Sequence, residues 1–151
     1  MEKIFTVVTT VQEPTPSVER LLALLQRYNI QLIVAGDRKG PKLFSGENIC
    51  FLSIDAQYKS GLKLAKHLPE NHYARKNTGY LQAISLGATC IYETDDDNAP
   101  LASWAPRQAE VSALNVLAHG WINVYRCFTG EHIWPRGFPL DAIVTSSAQP
   151  P

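Results

Sequence analysis

Net charge is the first thing this chain lacks: fourteen basic and fourteen acidic residues cancel, and charged residues make up only 19% of the sequence. No global field therefore favours DNA, RNA or an anionic membrane, and any phosphate recognition has to be local. No run of about twenty apolar residues occurs, so no segment reads as a membrane-spanning helix. The start, Met1-Glu2-Lys3-Ile4-Phe5, lacks the apolar stretch and cleavage site of a secretory signal. Cysteine is sparse, with only Cys50, Cys90 and Cys127. The absence of Cys-x-x-Cys or Cys/His ligand spacing argues against a zinc site. Cys50 and Cys90 read as small packed hydrophobes, and the expected setting is reducing and cytoplasmic. A phosphate-cradling Gly-x-x-x-x-Gly-Lys loop, a Ser/His/Asp arrangement, internal repeats and low-complexity tracts are absent as well.

What remains describes one ordinary globular domain. At 151 residues and 45% apolar content the chain can bury a proper core. Ile4–Thr10 is rich in β-branched residues and predicts a first buried strand. A proline-marked loop follows, with Ser17 expected to cap a helix whose stripe is Val18, Leu21, Leu22 and Leu25. Gln31–Ala35 and Ile49–Ile54 predict two further strands. The signal weakens between Asp55 and His72, where Gly61–His67 reads as one or two helical turns. A helix is expected over Ala74–Leu86 with Leu81 and Ile84 inward, Gly87 ending it, and a fourth strand over Ala88–Thr94. Ile122–Tyr125 is a fifth strand candidate, and Trp134–Pro139 must be loop. Alternating strands and helices predict a layered α/β fold with a mostly parallel sheet. The domain is expected over residues 1–145, with 146–151 a tail.

Chemistry concentrates in Ala74-Arg75-Lys76-Asn77-Thr78-Gly79-Tyr80 and in Ile91-Tyr92-Glu93-Thr94-Asp95-Asp96-Asp97-Asn98. Consecutive aspartates at a strand end repel one another unless something positive sits among them. A divalent cation bridging to a diphosphate is the natural partner, because hard cations prefer oxygen ligands. The bland alternative is a solvated acidic loop capping the next element. Position favours function, since ligands of open α/β sheets collect at the carboxyl ends of strands.

Arg75 and Lys76 fall at a helix start, where backbone N–H groups already favour an anion, and Asn77 can read a base or ribose edge. Asp37, ending the second strand, reads either as a turn residue or as an acceptor for a base or ribose hydroxyl. Thr9 and Thr10 are further candidates for the base pocket. Arg136-Gly137 stands in a rigid loop between two prolines, where Arg136 can approach a leaving diphosphate or simply pack. Trp104 and Trp121 read as core or interface.

The two segments just quoted, followed by Trp134-Pro135-Arg136-Gly137-Phe138-Pro139-Leu140, resemble the STELLO-type glycosyltransferases. More distantly they resemble the UDP-arabinopyranose mutases, or reversibly glycosylated polypeptides. The resemblance covers roughly Ile4 to Asp141, with all three motifs in order. It implies a GT-A-like fold, a three-layer α/β/α sandwich that binds nucleotide-diphosphate sugars. It also implies an Asp-x-Asp metal motif formed by Asp95 and Asp97, with Asp96 in support and Mn²⁺ or Mg²⁺ as cofactor. Asp97 and Arg136 then carry the catalytic roles, and Thr9, Asp37, Arg75, Lys76, Asn77, Asp95 and Asp96 hold the UDP- or GDP-linked donor.

Such domains usually continue past the Arg-Gly-Phe-Pro segment, so the acceptor half is expected to be missing. Three functions follow from these readings: a metal-dependent sugar transferase or isomerase, a non-catalytic nucleotide-sugar-binding module, and a phosphoacceptor signalling domain. The last places its acidic pair after the first strand, where this chain has Thr9-Thr10-Val11.

Overall fold

The computed structural model describes residues 2–107, 110, 112 and 121–142. The chain divides into two compact units, Met1–Pro106 and Arg107–Pro151. The expected tail, 146–151, lies outside the described residues.

The first unit is built on a parallel sheet of β1 (Ile4–Thr10), β2 (Gln31–Gly36), β3 (Ile49–Leu52) and β4 (Cys90–Glu93), in the order β3-β2-β1-β4. Both faces are covered. Helix α1 (Pro16–Arg27) puts Val18, Leu21 and Leu25 against Val8, Leu32 and Val34 on one face. On the other, α3 (Lys76–Ser85) crosses β1 and β2, and Ala83 joins Phe5, Val7 and Ile33. Residues of opposite parity along each strand thus feed two separate cores, which is why β1 and β2 read as near-continuous apolar runs. The result is the three-layer α/β/α architecture of a GT-A-like fold, as expected.

The helix ends follow local chemistry. Thr15, not Ser17, caps α1: its Oγ1 accepts from the Val18 N–H at 3.2 Å, and Pro16 occupies the first turn, where no N–H is needed. At the other end Asn29, with φ at 52°, begins the reversal, and Asn29 and Ile30 donate back to Gln26 and Leu25. Gly87, at φ 85°, does the same for α3, with Ala88 donating to Ala83 and Gly87 to Ile84.

Four further expectations need correcting. The inner face of α3 is not Leu81 and Ile84; Ile84 is 59% exposed, and the buried positions are Lys76, Thr78, Gly79 and Ala83. A Cβ added at Gly79 would lie 2.6 Å from Val7 Cγ1, so the helix lies too close to the sheet for large side chains. The stretch Asp55–His72 hides a capped helix, α2 (Ile54–Lys59), in which Ser53 Oγ accepts from the Ala56 N–H at 3.1 Å. Six residues are too few to show a helical period. Cys90 is exposed, because β4 is short and lies at the sheet edge. Finally, Ile122–Tyr125 is not a strand.

In the second unit Val124–Cys127 forms a 3₁₀ turn capped by Asn123, whose Oδ1 accepts from the Tyr125 N–H at 3.1 Å. Asn123 Nδ2 also donates to the Ile133 carbonyl at 2.8 Å. Its Pro135–Phe138 segment is a turn around Gly137 at φ 81°, with Trp121 and Phe138 edge to face at 5.7 Å.

Candidate functional site

A cleft of about 360 Å³ opens where β1, β2 and β4 end, lined by Thr9, Thr10, Asp37, Asn71–Tyr73 and Asp95–Asp97. Strand order explains its place. The chain moves outward from β1 to β2 to β3, then returns to add β4 on the other side of β1. Connections on opposite faces leave a crevice at this switch point, beyond the carboxyl ends of β1 and β4.

Register brings the aspartates into it. Glu93 stands beside Val7 in the sheet, so the residues after β4 run level with Thr9 and Thr10. Thr10 Oγ1 donates to Asp96 Oδ2 at 2.6 Å, Gln12 Nε2 donates to the same oxygen at 3.1 Å, and Thr15 Oγ1 donates to the Asp96 carbonyl at 2.6 Å. Asp96 therefore ties the acidic loop to the end of β1 and the start of α1.

Asp95 is held from the other side. Lys76, only 1% exposed, places Nζ 2.8 Å from Asp95 Oδ1 and 2.7 Å from Glu93 Oε1. The same nitrogen reaches the Thr94 carbonyl at 2.7 Å and the Tyr73 hydroxyl at 2.9 Å. Burial alone would lower the Lys76 pKa, but the bonds to Asp95, Glu93 and Tyr73 outweigh it and hold the amine charged well above its ordinary value. Lys76 in turn pulls both Glu93 and Asp95 below the usual carboxylate range. The positive charge the triplet requires is thus supplied in part by the protein itself.

Asp37 is buried, and both its carboxylate oxygens are engaged. Its carboxylate accepts from the backbone N–H groups of Arg38 at 2.7 Å, Asn71 at 2.7 Å and His72 at 2.9 Å. Its role in the structure is to pin the Asn71–His72 loop as one wall of the cleft. His72 Nδ1 accepts from the Ala74 N–H at 3.0 Å, which leaves the proton of the neutral ring on Nε2. Thr9 Oγ1 is spent on the Ala35 carbonyl at 2.8 Å.

Arg75 and Asn77 do not join this constellation. Arg75 is fully buried, donating through Nη1 to the Ala65 and Leu68 carbonyls at 2.7 and 3.2 Å, its guanidinium 5.0 Å from the Tyr58 ring centre. Its Nε and Nη2 have no hydrogen-bond partner among the described residues; the ring face compensates part of that charge. Asn77 is exposed and donates to the Ala74 carbonyl at 2.8 Å. Arg136 lies in the second unit, in the turn around Gly137. Trp104 packs edge to face on Tyr28 and Tyr92, a core role as expected, whereas Trp121 is largely exposed.

Sequence reading missed Tyr73. It lines the cleft with its hydroxyl 2.8 Å from Glu93 Oε1. Nothing in its spacing marked it, because its neighbours arrive from β4, which lies later in the chain.

Among the described residues no group of three or more His, Cys, Asp or Glu side chains is arranged as a metal cage. The acidic loop nonetheless keeps carboxylate oxygens that a cation could use. Asp97 has no hydrogen bond or ion pair among the described residues, and Asp95 and Asp96 are bonded through one oxygen each. Mg²⁺-type ions typically take one or two carboxylates and complete their shell with phosphate oxygens and water, which needs no full protein cage.

A parallel α/β/α sandwich with an acidic cleft at its switch point is consistent with a GT-A-like fold. In sequence the chain matches no protein-family profile. It is 30% identical to the Probable glycosyltransferase STELLO1 of Arabidopsis thaliana and 28% identical to the Probable glycosyltransferase STELLO2 of the same plant. Each similarity covers 91% of this chain but 19% of the relative, so the chain spans about a fifth of the length of the curated relatives it matches. The resemblance to STELLO-type proteins read from the three motifs holds. No described helix is long and apolar enough to cross a membrane.

Proposed function

We propose that this cleft is the donor site of a GT-A-type glycosyltransferase domain, which binds a UDP- or GDP-linked sugar and transfers or isomerises the sugar. The observation that carries this reading is the meeting of Asp95–Asp97 with the end of β1 at the switch point of the sheet. Asp95 and Asp97 are the residues that would hold Mg²⁺ or Mn²⁺, which supplies Lewis-acid stabilisation of the departing nucleoside diphosphate.

The chain's own residues prepare the loop for that task. Lys76 fixes Asp95 through Oδ1, and Thr10 with Gln12 fixes Asp96 through Oδ2. Asp95 and Asp96 are thus held in place at the cleft, each with one carboxylate oxygen free of hydrogen bonds among the described residues, the condition under which fixed charges act most strongly.

The test is calorimetry with UDP, GDP and their sugars, with and without Mn²⁺. Metal-dependent binding that EDTA abolishes supports the donor site, and equal affinity with and without metal rejects the metal role. A second reading, a binding module without transfer, is favoured by Lys76, which already offsets Asp95 and Glu93. Release of free sugar or transfer to an acceptor from a bound donor separates the two.

A further inference from the structure

We propose that Tyr73 is the platform on which the base of the nucleoside diphosphate stacks, so that base recognition runs through the Asn71–Tyr73 wall rather than through Asp37 and Thr9. This rests on the donor-site reading above and extends it to the base.

Two observations remove the obvious readers. All the hydrogen bonds of the Asp37 carboxylate come from backbone N–H groups of residues 38, 71 and 72. The Thr9 hydroxyl proton is committed to the Ala35 carbonyl. Both side chains build the walls of the cleft, and neither has its strongest hydrogen-bonding capacity to spare for a base edge.

Tyr73 is the opposite case. It lines the cleft, is 56% exposed and packs on no other aromatic ring among the described residues, with Lys76 Nζ 4.9 Å from its ring centre. An exposed tyrosine would ordinarily swing, yet this one is held at its far end. Its hydroxyl donates to Glu93 Oε1 at 2.8 Å and accepts from Lys76 Nζ at 2.9 Å. The loop beneath it is pinned at Asn71 and His72 by Asp37, and His72 Nδ1 accepts from the Ala74 N–H. A planar apolar surface is thus fixed beside the acidic loop. Stacking on it costs little side-chain entropy, because the rotamer is already set. A nucleobase, planar and attached to the diphosphate that the aspartates attract, is the ligand fragment that fits such a surface.

Binding of UDP, GDP and inorganic pyrophosphate, each with Mn²⁺, to the wild-type chain, Tyr73→Phe and Tyr73→Leu tests this. The wild type is expected to bind UDP and GDP more tightly than pyrophosphate. Tyr73→Leu should weaken both nucleotides about tenfold or more, the scale of a lost base–aromatic contact, and leave pyrophosphate unchanged. Tyr73→Phe, which keeps the ring, should retain most of the nucleotide affinity. Equal losses in Tyr73→Phe and Tyr73→Leu, or loss of pyrophosphate together with the nucleotides, would assign Tyr73 to tethering the acidic loop and overturn the platform. Nucleotides binding the wild type no better than pyrophosphate would overturn it while sparing the diphosphate site. A wild type that binds none of the three probes defeats both readings.

Discussion

Lys76 and Asp95 form an ion pair across the junction of α3 and β4, with Nζ 2.8 Å from Oδ1 and the lysine side chain 1% exposed. The pair joins a helix facing one core to the loop that lines the cleft, so it couples the fold to the site. Removing the cation should show this in both. Lys76→Met strands Glu93 and Asp95, each 49% exposed, next to one another. Breaking a fully buried pair costs about 3–5 kcal/mol, and half-exposed carboxylates reduce that to about 1–3 kcal/mol. Urea denaturation measures it, and an unchanged midpoint would show the pair to be energetically idle.

Arg75 is expected to behave unlike its neighbour. Its guanidinium is spent on the Ala65 and Leu68 carbonyls and the Tyr58 ring. Arg75→Ala should lower stability by about 2–4 kcal/mol, through buried carbonyls left unpaired and lost packing. UDP affinity of the folded protein should stay within about twofold of wild type. A tenfold loss of affinity with unchanged stability would return Arg75 to the phosphate site.

Metal dependence should separate the aspartates. Asp97, the one of the three with no partner among the described residues, should be the most sensitive: Asp97→Asn should weaken Mn²⁺-dependent UDP binding by tenfold or more, because an amide lacks the charge a hard cation needs. Asp96→Asn should act mainly on stability, since its oxygen bonds to Thr10 and Gln12. Titration calorimetry with denaturation of the same samples distinguishes the two, and identical behaviour of both variants would count against the division.

Acid should unfold the first unit through identifiable carboxylates. Hydrogen bonds from Arg38 and Tyr58 lower the Glu70 pKa from 4.5 to about 2, and Lys76 lowers Glu93 and Asp95. Folded values lie below unfolded ones, so their contribution is complete above the ordinary carboxylate pKa and is lost as pH falls through the folded values. The denaturation midpoint should drop between about pH 5 and about pH 2, and Arg38→Met should flatten that drop. A slope identical in the variant would exclude the Arg38–Glu70 pair as a source.

Close packing of α3 gives the last expectation. A methyl at Gly79 would lie 2.6 Å from Val7 Cγ1, and Val7 is a stiff β-branched residue with no exposed surface. Gly79→Ala should therefore destabilise by about 1–3 kcal/mol despite its better helix propensity. A stabilised variant in thermal denaturation would mean that the helix can lift from the sheet freely.

Much of the frame was legible in the chain itself. Ile4–Thr10 and Gln31–Ala35 declared two strands through β-branched, apolar runs, Gly87 marked the end of α3, and the aspartates stood one residue past a strand. Those signals are local: side-chain branching, helical period and left-handed turns act within a few residues. They sufficed to put the acidic triplet at the carboxyl edge of a parallel sheet.

Tertiary structure alone decided which neighbours share that edge. Consecutive residues of a helix point about 100° apart, so whether Arg75 or Lys76 meets the acids depends on how α3 docks. Docking is set by the contact of Gly79 with Val7 on a strand some seventy residues earlier. The same packing turned Asp37 toward Asn71 and His72 and brought Tyr73 to Glu93. Both are pairings of residues far apart in sequence, and no period or turn signal within a segment encodes them.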